Sequence, residues 1–126
     1  MKSKQNNKKA AVQFLKLVVE RKIDQAYQRY IDLKGKHHNM YFPKGFPALL
    51  KAMKNNHAKF PNTKLTIMNV IGDENMVAVH SHVIHQPGEI GVIAVHIFKF
   101  IDEKIVEMWD CGMPIPKDAP NKDGAF

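Results

Sequence analysis

The feature that most constrains this chain is a set of three strand-like stretches in its second half. They are rich in β-branched and aromatic residues, are separated by turn residues, and lie at 77–85, 91–100 and 104–110. Because successive side chains of a strand point to opposite faces, His96 shares one face with Phe98, while Ile97 lies on the other. Both faces of the middle stretch are apolar, so we expect both to be covered.

The loop between the second and third stretches decides whether His96 and Asp110 share a face. A two-residue loop at 102–103 would set His96 opposite Trp109 and send Asp110 to the other face. A three-residue loop at 101–103 moves Asp110 onto the face of His96, diagonally and about 7–8 Å away. We favour the three-residue loop, because it brings a carboxyl and an imidazole together.

This register also surrounds the pair with apolar side chains. Phe98, Val106 and Met108 would stand around His96 and Asp110. An apolar setting disfavours the charged form of a carboxyl, which lets such a group exchange protons near neutral pH. The pattern therefore indicates a candidate acid–base pair.

Several segments together resemble the SnoaL-like branch of the nuclear-transport-factor-2-like superfamily. In chain order they are His38-Asn39, Val79-His80-Ser81-His82, Gly88, Ile97-Phe98, Lys104-Ile105-Val106-Glu107-Met108-Trp109-Asp110 and Pro114-Ile115-Pro116. The resemblance spans nearly the whole chain and is best from Val77 onward. The branch that it resembles includes polyketide cyclases, which close rings by intramolecular aldol condensation.

The resemblance implies both a fold and a site. The implied fold is α+β: a curved antiparallel sheet wrapped by N-terminal helices into a cone with an internal cavity. In the cyclases an aspartate on a late strand is the general acid/base, beside a histidine on the preceding strand, and these positions match Asp110 and His96. His38 and Asn39 would point into the cavity mouth. The segment around them differs from the pattern of the cyclases. We therefore do not expect this chain to share the substrate of the cyclases.

Other residues extend the candidate site. We expect substrate contacts from His80 and His82, which share a face of the first stretch, and from His38, Asn39, Met108, Phe98 and Tyr30. Core packing is the alternative role for Tyr30. His85 falls on the face away from His80 and His82, and we leave it out of the site.

The histidines also raise the question of a metal. His80 and His82, with His96 or Asp110 on a neighbouring strand, could supply three ligands to zinc, nickel or iron. Neutral histidines bonded to backbone or water are the alternative, which we favour. We therefore expect no metal and no other cofactor.

The first half of the chain is predicted to be helical. Apolar periodicity predicts helices at 6–20, at 23–31, and from 43 or 46 to 59. His57 lies on the apolar stripe of the third helix, where we interpret it as a partly buried surface residue. Residues 37–39 are predicted as a loop or short edge strand, and 63–71 as a strand. We expect one domain over 1–126, with 112–126 an extended Pro-rich tail.

Charge and cysteine content bear on the partners and the cellular location of the protein. The formal net charge is +7, but four lysines lie in the first nine residues and the others are scattered, so we expect a solvated surface without a nucleic-acid or membrane partner. The single cysteine, Cys111, excludes an internal disulfide and is interpreted as a small buried residue. The absence of a signal-like apolar run predicts a cytoplasmic protein.

Two functions from different classes remain open. The first is an enzyme acting on a small carbonyl substrate through Asp110 and His96, by aldol-type cyclisation, isomerisation or a related proton abstraction. The second is a module that binds a small hydrophobic ligand without converting it. In either case Ile93, Val95, Ile97 and Trp109 form an uncovered apolar outer face, which predicts a homodimer.

Overall fold

A computed structural model describes residues 4–126 of the chain, with side chains from residue 6 onward. Lys2 of the basic N-terminus lies outside the described residues. Three helices precede most of the sheet: α1 (Lys4–Val19), α2 (Ile23–Tyr30) and α3 (Phe46–Lys59). The strands are β1 (Ile31–His37), β2 (Lys64–Asp73), β3 (Met76–Ile84), β4 (Val92–Ile101) and β5 (Lys104–Pro114). The class is therefore α+β, as the sequence predicted.

The five strands form one mixed sheet in the order β1-β5-β4-β3-β2. Strands β2 to β5 are antiparallel neighbours, whereas β1 pairs with β5 in parallel at one edge. The sheet is thus antiparallel, as the resemblance implied, except that its edge strand β1 is parallel to β5. Segment 31–37 carries few β-forming residues, and its pairing with β5 overrides that weak propensity.

The helices pack on one face of the sheet, which we call the inner face. Its core unites α1 and α2 with the central strands and includes Ala11, Phe14, Leu15, Ile23, Ala26, Tyr27, Phe46, Leu49, Val77, Val79, Phe98, Phe100 and Ile105. Burying these apolar side chains is the main force that holds helices and sheet together. The other face carries Ile93, Val95, Ile97 and Trp109, and no helix of the described residues covers it.

The hairpin between β4 and β5 differs from the predicted one. Its turn has two residues, Asp102 and Glu103, so Ile101 pairs with Lys104. Both turn residues have positive φ, 49° and 69°, as a tight hairpin turn of the type I′ class requires. The favoured three-residue loop is therefore wrong.

A β-bulge in β5 nevertheless places His96 and Asp110 on the same face of the sheet. Phe100 pairs with Ile105, but Lys99 pairs with Glu107, so Val106 is the extra residue on β5. Beyond this bulge His96 lies directly opposite Asp110. The two side chains share the inner face, although the pairing is direct and not diagonal.

Gly35 of β1 allows the bulge to pack closely. A Cβ atom at this position would collide with the carbonyl oxygen of Val106 and would lie 3.0 Å from Cε2 of Phe46. The contact with the Val106 oxygen is too short for any real side chain, and the contact with Phe46 is tighter than most real contacts. The glycine that interrupts the sequence pattern therefore permits β1 to lie against the bulged part of β5.

The remaining boundaries are close to those predicted. The chain passes from α2 directly into β1 at Ile31, whose backbone is extended, and α3 ends at Lys59 as expected. Strand β5 runs to Pro114, three residues into the segment predicted as tail. Among the described residues, no helix has the length and apolar character needed to cross a membrane; the cytoplasmic location remains a prediction.

Candidate functional site

A cavity of about 620 Å³ lies between the inner face of the sheet, α1 and α3. Its apolar lining comes from Leu15, Val18, Val19, Phe42, Met53, Phe60, Leu65, Val83, Val92 and Ala94. Its polar lining includes Asn39, Asn56, His57, Thr63, His85, His96 and Asp110. This size and mixture are typical of sites for small organic molecules.

His96 and Asp110 meet on one wall of this cavity. They are cross-strand partners on β4 and β5, and both line the cavity. Burial lowers the pKa of His96, and the nearby Asp110 carboxylate offsets this only in part. The imidazole is therefore neutral at pH 7, so it can donate one hydrogen bond and accept another.

The buried nitrogen of His96 indicates which tautomer it adopts. Its Nδ1 atom is buried and has no hydrogen-bond partner among the described residues. A buried donor without a partner is costlier than a buried acceptor without one, so the proton belongs on Nε2. His96 then offers an N–H donor beside the Asp110 carboxylate.

Asn39 holds the Asp110 carboxylate in place. Its Nδ2 donates to Oδ2 of Asp110 at 3.0 Å, while its Oδ1 accepts from the backbone N–H of Tyr41 at 3.0 Å. These two bonds fix which way the amide points and leave Oδ1 of Asp110 free of Asn39. Asn39 is thus a positioning residue for the carboxylate.

His37 in turn fixes the loop that carries Asn39. Its Nε2 donates to the carbonyl of Pro43 at 2.8 Å, and its Nδ1 accepts from the backbone N–H of Asn39 at 3.1 Å. Together the two bonds define a neutral ring with the proton on Nε2, because Nδ1 can accept only when it carries no proton. The ring is buried and contacts Phe46, so this histidine is structural.

Tyr27 lies behind the acid–base pair. It is buried in the core, and burial, with a smaller effect of the Asp110 charge, raises the pKa of its phenol far above the ordinary value. The phenol therefore stays protonated at any physiological pH.

His80 and His82 do not join this site. His80 pairs with Val95 and His82 with Ile93, both of which lie on the outer face, whereas His96 pairs with Val79. The expectation that these two histidines contact the substrate is wrong. Their rings instead contact Phe126, with centroids 5.4 Å and 4.9 Å away.

The sequence contained the information needed to avoid this error. A turn at 86–89 closes the hairpin so that position 85 faces 90, and counting back from there pairs His96 with Val79. The same count places His85 on the inner face. His85 does line the cavity, with its ring 5.5 Å from that of Phe60, so leaving it out was also wrong.

His38 is at the rim of the cavity, but its ring is engaged elsewhere. Its Nε2 lies 2.6 Å from Oε2 of Glu107, and its ring stacks on Trp109 at 5.2 Å. Both partners belong to the outer face. The hydrogen bond from His38 lowers the pKa of Glu107, with smaller contributions from Lys36 and Lys99. Of the predicted pair, Asn39 therefore contacts Asp110 and His38 does not.

The three predicted apolar contacts lie outside the cavity wall. Phe98 and Met108 are buried in the core, and the Phe98 ring lies parallel to that of His96, which it supports from behind. Tyr30 lines a separate, larger surface groove beside the N-terminal end of α1, away from Asp110. The apolar periodicity marked these residues correctly as buried but did not separate core from cavity.

Two further residues line the cavity although the sequence did not place them there. His57 on α3, predicted as a partly buried surface residue, is partly buried and lines the cavity, and its Nδ1 has no hydrogen-bond partner among the described residues. Its position on the apolar stripe of α3 was the available signal. Cys111 also lines the cavity but is exposed, not buried, because it follows Asp110 on the opposite face of β5.

The metal hypothesis finds no support in the geometry. His80 and His82 lie on the other side of the sheet from His96 and Asp110. No group of three or more His, Cys, Asp or Glu side chains is arranged to hold a metal ion within the part of the chain that the structure describes.

Comparison with known structures identifies the fold of the chain. The chain has the fold of the SnoaL-like and other nuclear-transport-factor-2-like proteins, which confirms the resemblance seen in the sequence at the level of the fold. No protein-family model and no curated protein matches the chain by sequence.

Three solved structures illustrate this similarity. AclR from Streptomyces galilaeus, provisionally described as a hydroxylase, has a TM-score of 0.72 and 19% identity over 88% of this chain and 91% of its own. A protein from Jannaschia sp. CCS1, provisionally described as a SnoaL-like polyketide cyclase, has a TM-score of 0.73 and 13% identity, with 89% and 90% covered. A protein from Kribbella flavida, provisionally described as a ketosteroid isomerase, has a TM-score of 0.74 and 12% identity, with 95% and 87% covered.

Proposed function

We propose that this protein is an enzyme that moves a proton at a carbon next to a carbonyl group of a small substrate. Asp110 is the general acid/base, and His96 is the hydrogen-bond donor to the carbonyl oxygen. The observation that carries the proposal is the direct pairing of these two residues on one wall of a largely apolar cavity. Similar folds that are provisionally described as a cyclase and an isomerase support it.

The geometry supports a defined sequence of steps. The Asp110 carboxylate takes the proton from the carbon, and the C–H electron pair moves into an enolate whose oxygen accepts the N–H of His96. Returning the proton to a different carbon completes an isomerisation. Alternatively, the enolate carbon attacks a second carbonyl of the same molecule, a carbon–carbon bond forms, and the new alkoxide takes the proton from Asp110.

Asn39 contributes to these steps without touching the substrate. Its bond to Oδ2 of Asp110 leaves Oδ1 as the oxygen that faces a reacting C–H bond. Holding a carboxylate in a productive orientation lowers the entropy lost on reaching the transition state.

A second function has one observation in its favour. Most of the cavity lining is apolar, which suits a module that binds a small hydrophobic ligand without converting it. In that case Asp110 and His96 would only orient the ligand.

Product formation separates the two functions. Wild type and Asp110→Asn are incubated with neutral 1,3-dicarbonyl compounds and cyclic enones, and products are followed by proton NMR. The enzyme proposal predicts ring closure or double-bond migration with wild type only, with a loss of at least about 100-fold in Asp110→Asn. Tight binding of compounds that neither protein converts would favour the binding module.

We also propose that the protein is a homodimer through its outer sheet face. The residues Ile93, Val95, Ile97 and Trp109 form a contiguous, partly exposed patch, which we call the outer patch. Exposed Met68 and Met113 lie on the same sheet. Among the described residues, helices cover the inner face only, so a second copy of the same face is the partner that would bury the outer patch.

A further inference from the structure

His38 fastens the loop between β1 and α3 to the outer side of β5. Its backbone N–H donates to the carbonyl of Met108 at 2.8 Å, which continues the pairing of β1 with β5 by one residue. Its ring stacks on Trp109 with an interplanar angle of 14°, and its Nε2 lies 2.6 Å from Oε2 of Glu107. One contact holds the face of the ring and the other its edge, so the side chain is fixed from two directions.

The bond between His38 and Glu107 is charge-assisted. The hydrogen bond from His38 lowers the pKa of Glu107, Lys36 and Lys99 act in the same direction, and burial opposes them in part. The carboxylate is therefore ionised at pH 7, so Nε2 carries the proton and donates it. Charge-assisted bonds are shorter and stronger than neutral ones. The Glu107 side chain is only 18% exposed, so water competes little for the acceptor.

Two consecutive residues of the loop thus hold β5 from its two faces. Side chains alternate along a strand, so Glu107 and Trp109 point to the outer face and Asp110 to the inner face. His38 contacts the outward pair. Asn39, the next residue, donates to Asp110 on the inner face at 3.0 Å. The contacts of His38 therefore determine where the backbone of Asn39 begins.

The following residues of the loop give it little support. Met40 and Tyr41 are 84% and 92% exposed, so their side chains bury almost no surface against the rest of the protein. On the other side of Asn39, the ring of His37 holds the loop through its bonds to Pro43 and to the Asn39 backbone. The orientation of Asn39 consequently depends on the anchors at 37 and 38.

We propose that His38 is a positioning residue for Asp110, which it influences through Asn39 from the side of the sheet away from the acid–base pair. The inference rests on the proposed function, in which Asp110 takes the proton. Without the bond to Glu107 the loop is free to shift, and the Asn39 amide leaves the carboxylate for part of the time. Asp110 then adopts the reactive orientation less often, so the reaction slows although the ligand still binds.

NMR of the Asn39 side chain tests this positioning without turnover. In wild type the Nδ2 protons of Asn39 are held by Asp110 and should exchange slowly with water. His38→Phe keeps a ring to stack on Trp109 but has no donor, and we expect about five-fold faster exchange, the effect of weakening one hydrogen bond. Glu107→Ala should give the same change, and the double variant no more, because both substitutions remove the same bond.

Three controls separate positioning from a general loss of structure. His38→Gln keeps an N–H donor near the place of Nε2, so it should restore most of the protection, and it replaces His38→Phe if that variant does not fold. Backbone amides of β4 should keep wild-type protection in every variant. His80→Phe, which removes a histidine elsewhere on the outer face, should leave the Asn39 side chain unchanged.

Two NMR results would overturn the inference. One is exchange at Asn39 that stays at the wild-type rate in both His38→Phe and Glu107→Ala. The other is protection that falls equally at Asn39 and throughout β4, because a merely structural role for His38 gives this result.

Deuterium incorporation into decalone, a neutral cyclic ketone, separates this inference from the proposed function. In His38→Phe we expect kcat to fall about five-fold while KM changes by less than about two-fold. Wild-type exchange that His38→Phe leaves unaltered would overturn the role of His38 and leave the acid–base proposal intact. Conversely, a wild type that exchanges no bound ketone, but whose Asn39 side chain is released in His38→Phe, would refute only the acid–base proposal.

Discussion

The hydrogen bonds of Asn39 show how a polar site is built from local chemistry. Its Oδ1 accepts a hydrogen bond from the backbone N–H of Tyr41, and its Nδ2 donates one to Asp110. His37 anchors the same loop through two bonds, one donated by Nε2 and one accepted by Nδ1, which together define a neutral ring. The family resemblance was a reason to select Asn39 and Asp110, but it could not show that His38 turns to Glu107 and Trp109. Side-chain rotamers depend on neighbours that only the folded chain brings close.

At the residue scale, His96 predicts a pH-dependent stability. Burial lowers the pKa of His96 in the folded protein, so the unfolded chain binds its proton more readily. The contribution of a neutral His96 is therefore complete above about pH 6.5 and is lost as the pH falls below that value, by up to about 1.4 kcal/mol per pH unit. Urea unfolding of wild type and His96→Phe from pH 5 to pH 8 measures it. The wild type should lose stability more steeply on acidification, and parallel curves would contradict the assignment.

At the element scale, the bulge at Val106 determines the site. The alternation of β4 and β5 was enough to predict two strands and to place Ile97 and Trp109 on one face. It did not reveal that a two-residue turn and a bulge together replace the expected three-residue loop. Both arrangements put His96 and Asp110 on the same face, so the prediction of a shared face was right for the wrong reason. A bulge does not follow from any regular spacing of residues in the sequence. Gly35, the residue that permits this one, lies about 70 positions away in the chain.

Gly35→Ala should disturb this element. The added Cβ would collide with the backbone carbonyl of Val106, so we expect a loss of about 2 kcal/mol in the free energy of unfolding, together with reduced activity as Asp110 shifts. Gly72→Ala is the matched control, because the nearest atoms there belong to the flexible side chain of Lys8. Chemical denaturation measures both variants. An effect of Gly35→Ala no larger than that of Gly72→Ala would show that the close packing at the bulge is unimportant.

At the scale of the whole molecule, the two sheet faces have different roles. The inner face packs the helices and forms the cavity, while the outer face exposes the outer patch and carries His80, His82 and the contacting Phe126. The fold class could be predicted from the sequence because, in long segments, the spacing of apolar residues reflects which face is buried and so distinguishes helices from strands. The edge strand β1 did not, since its pairing with β5 joins segments about 70 residues apart.

The proposed homodimer gives a prediction at this scale. Sedimentation velocity at micromolar concentration should show a dimer for wild type. Val95→Lys, which places a charge in the middle of the outer patch, should shift it to monomer. Leu33→Lys, at an exposed position on β1, should leave the dimer intact. A wild-type protein that sediments only as a monomer would exclude this interface.

The most direct test of the acid–base proposal is deuterium incorporation from heavy water into neutral ketones that bind the cavity. This measurement requires proton abstraction alone and no knowledge of the final product. We expect exchange above background by wild type, with a loss of at least about 100-fold in Asp110→Asn and a wild-type rate in His80→Phe. Exchange that persists in Asp110→Asn, or no exchange with ketones shown to bind, would contradict it.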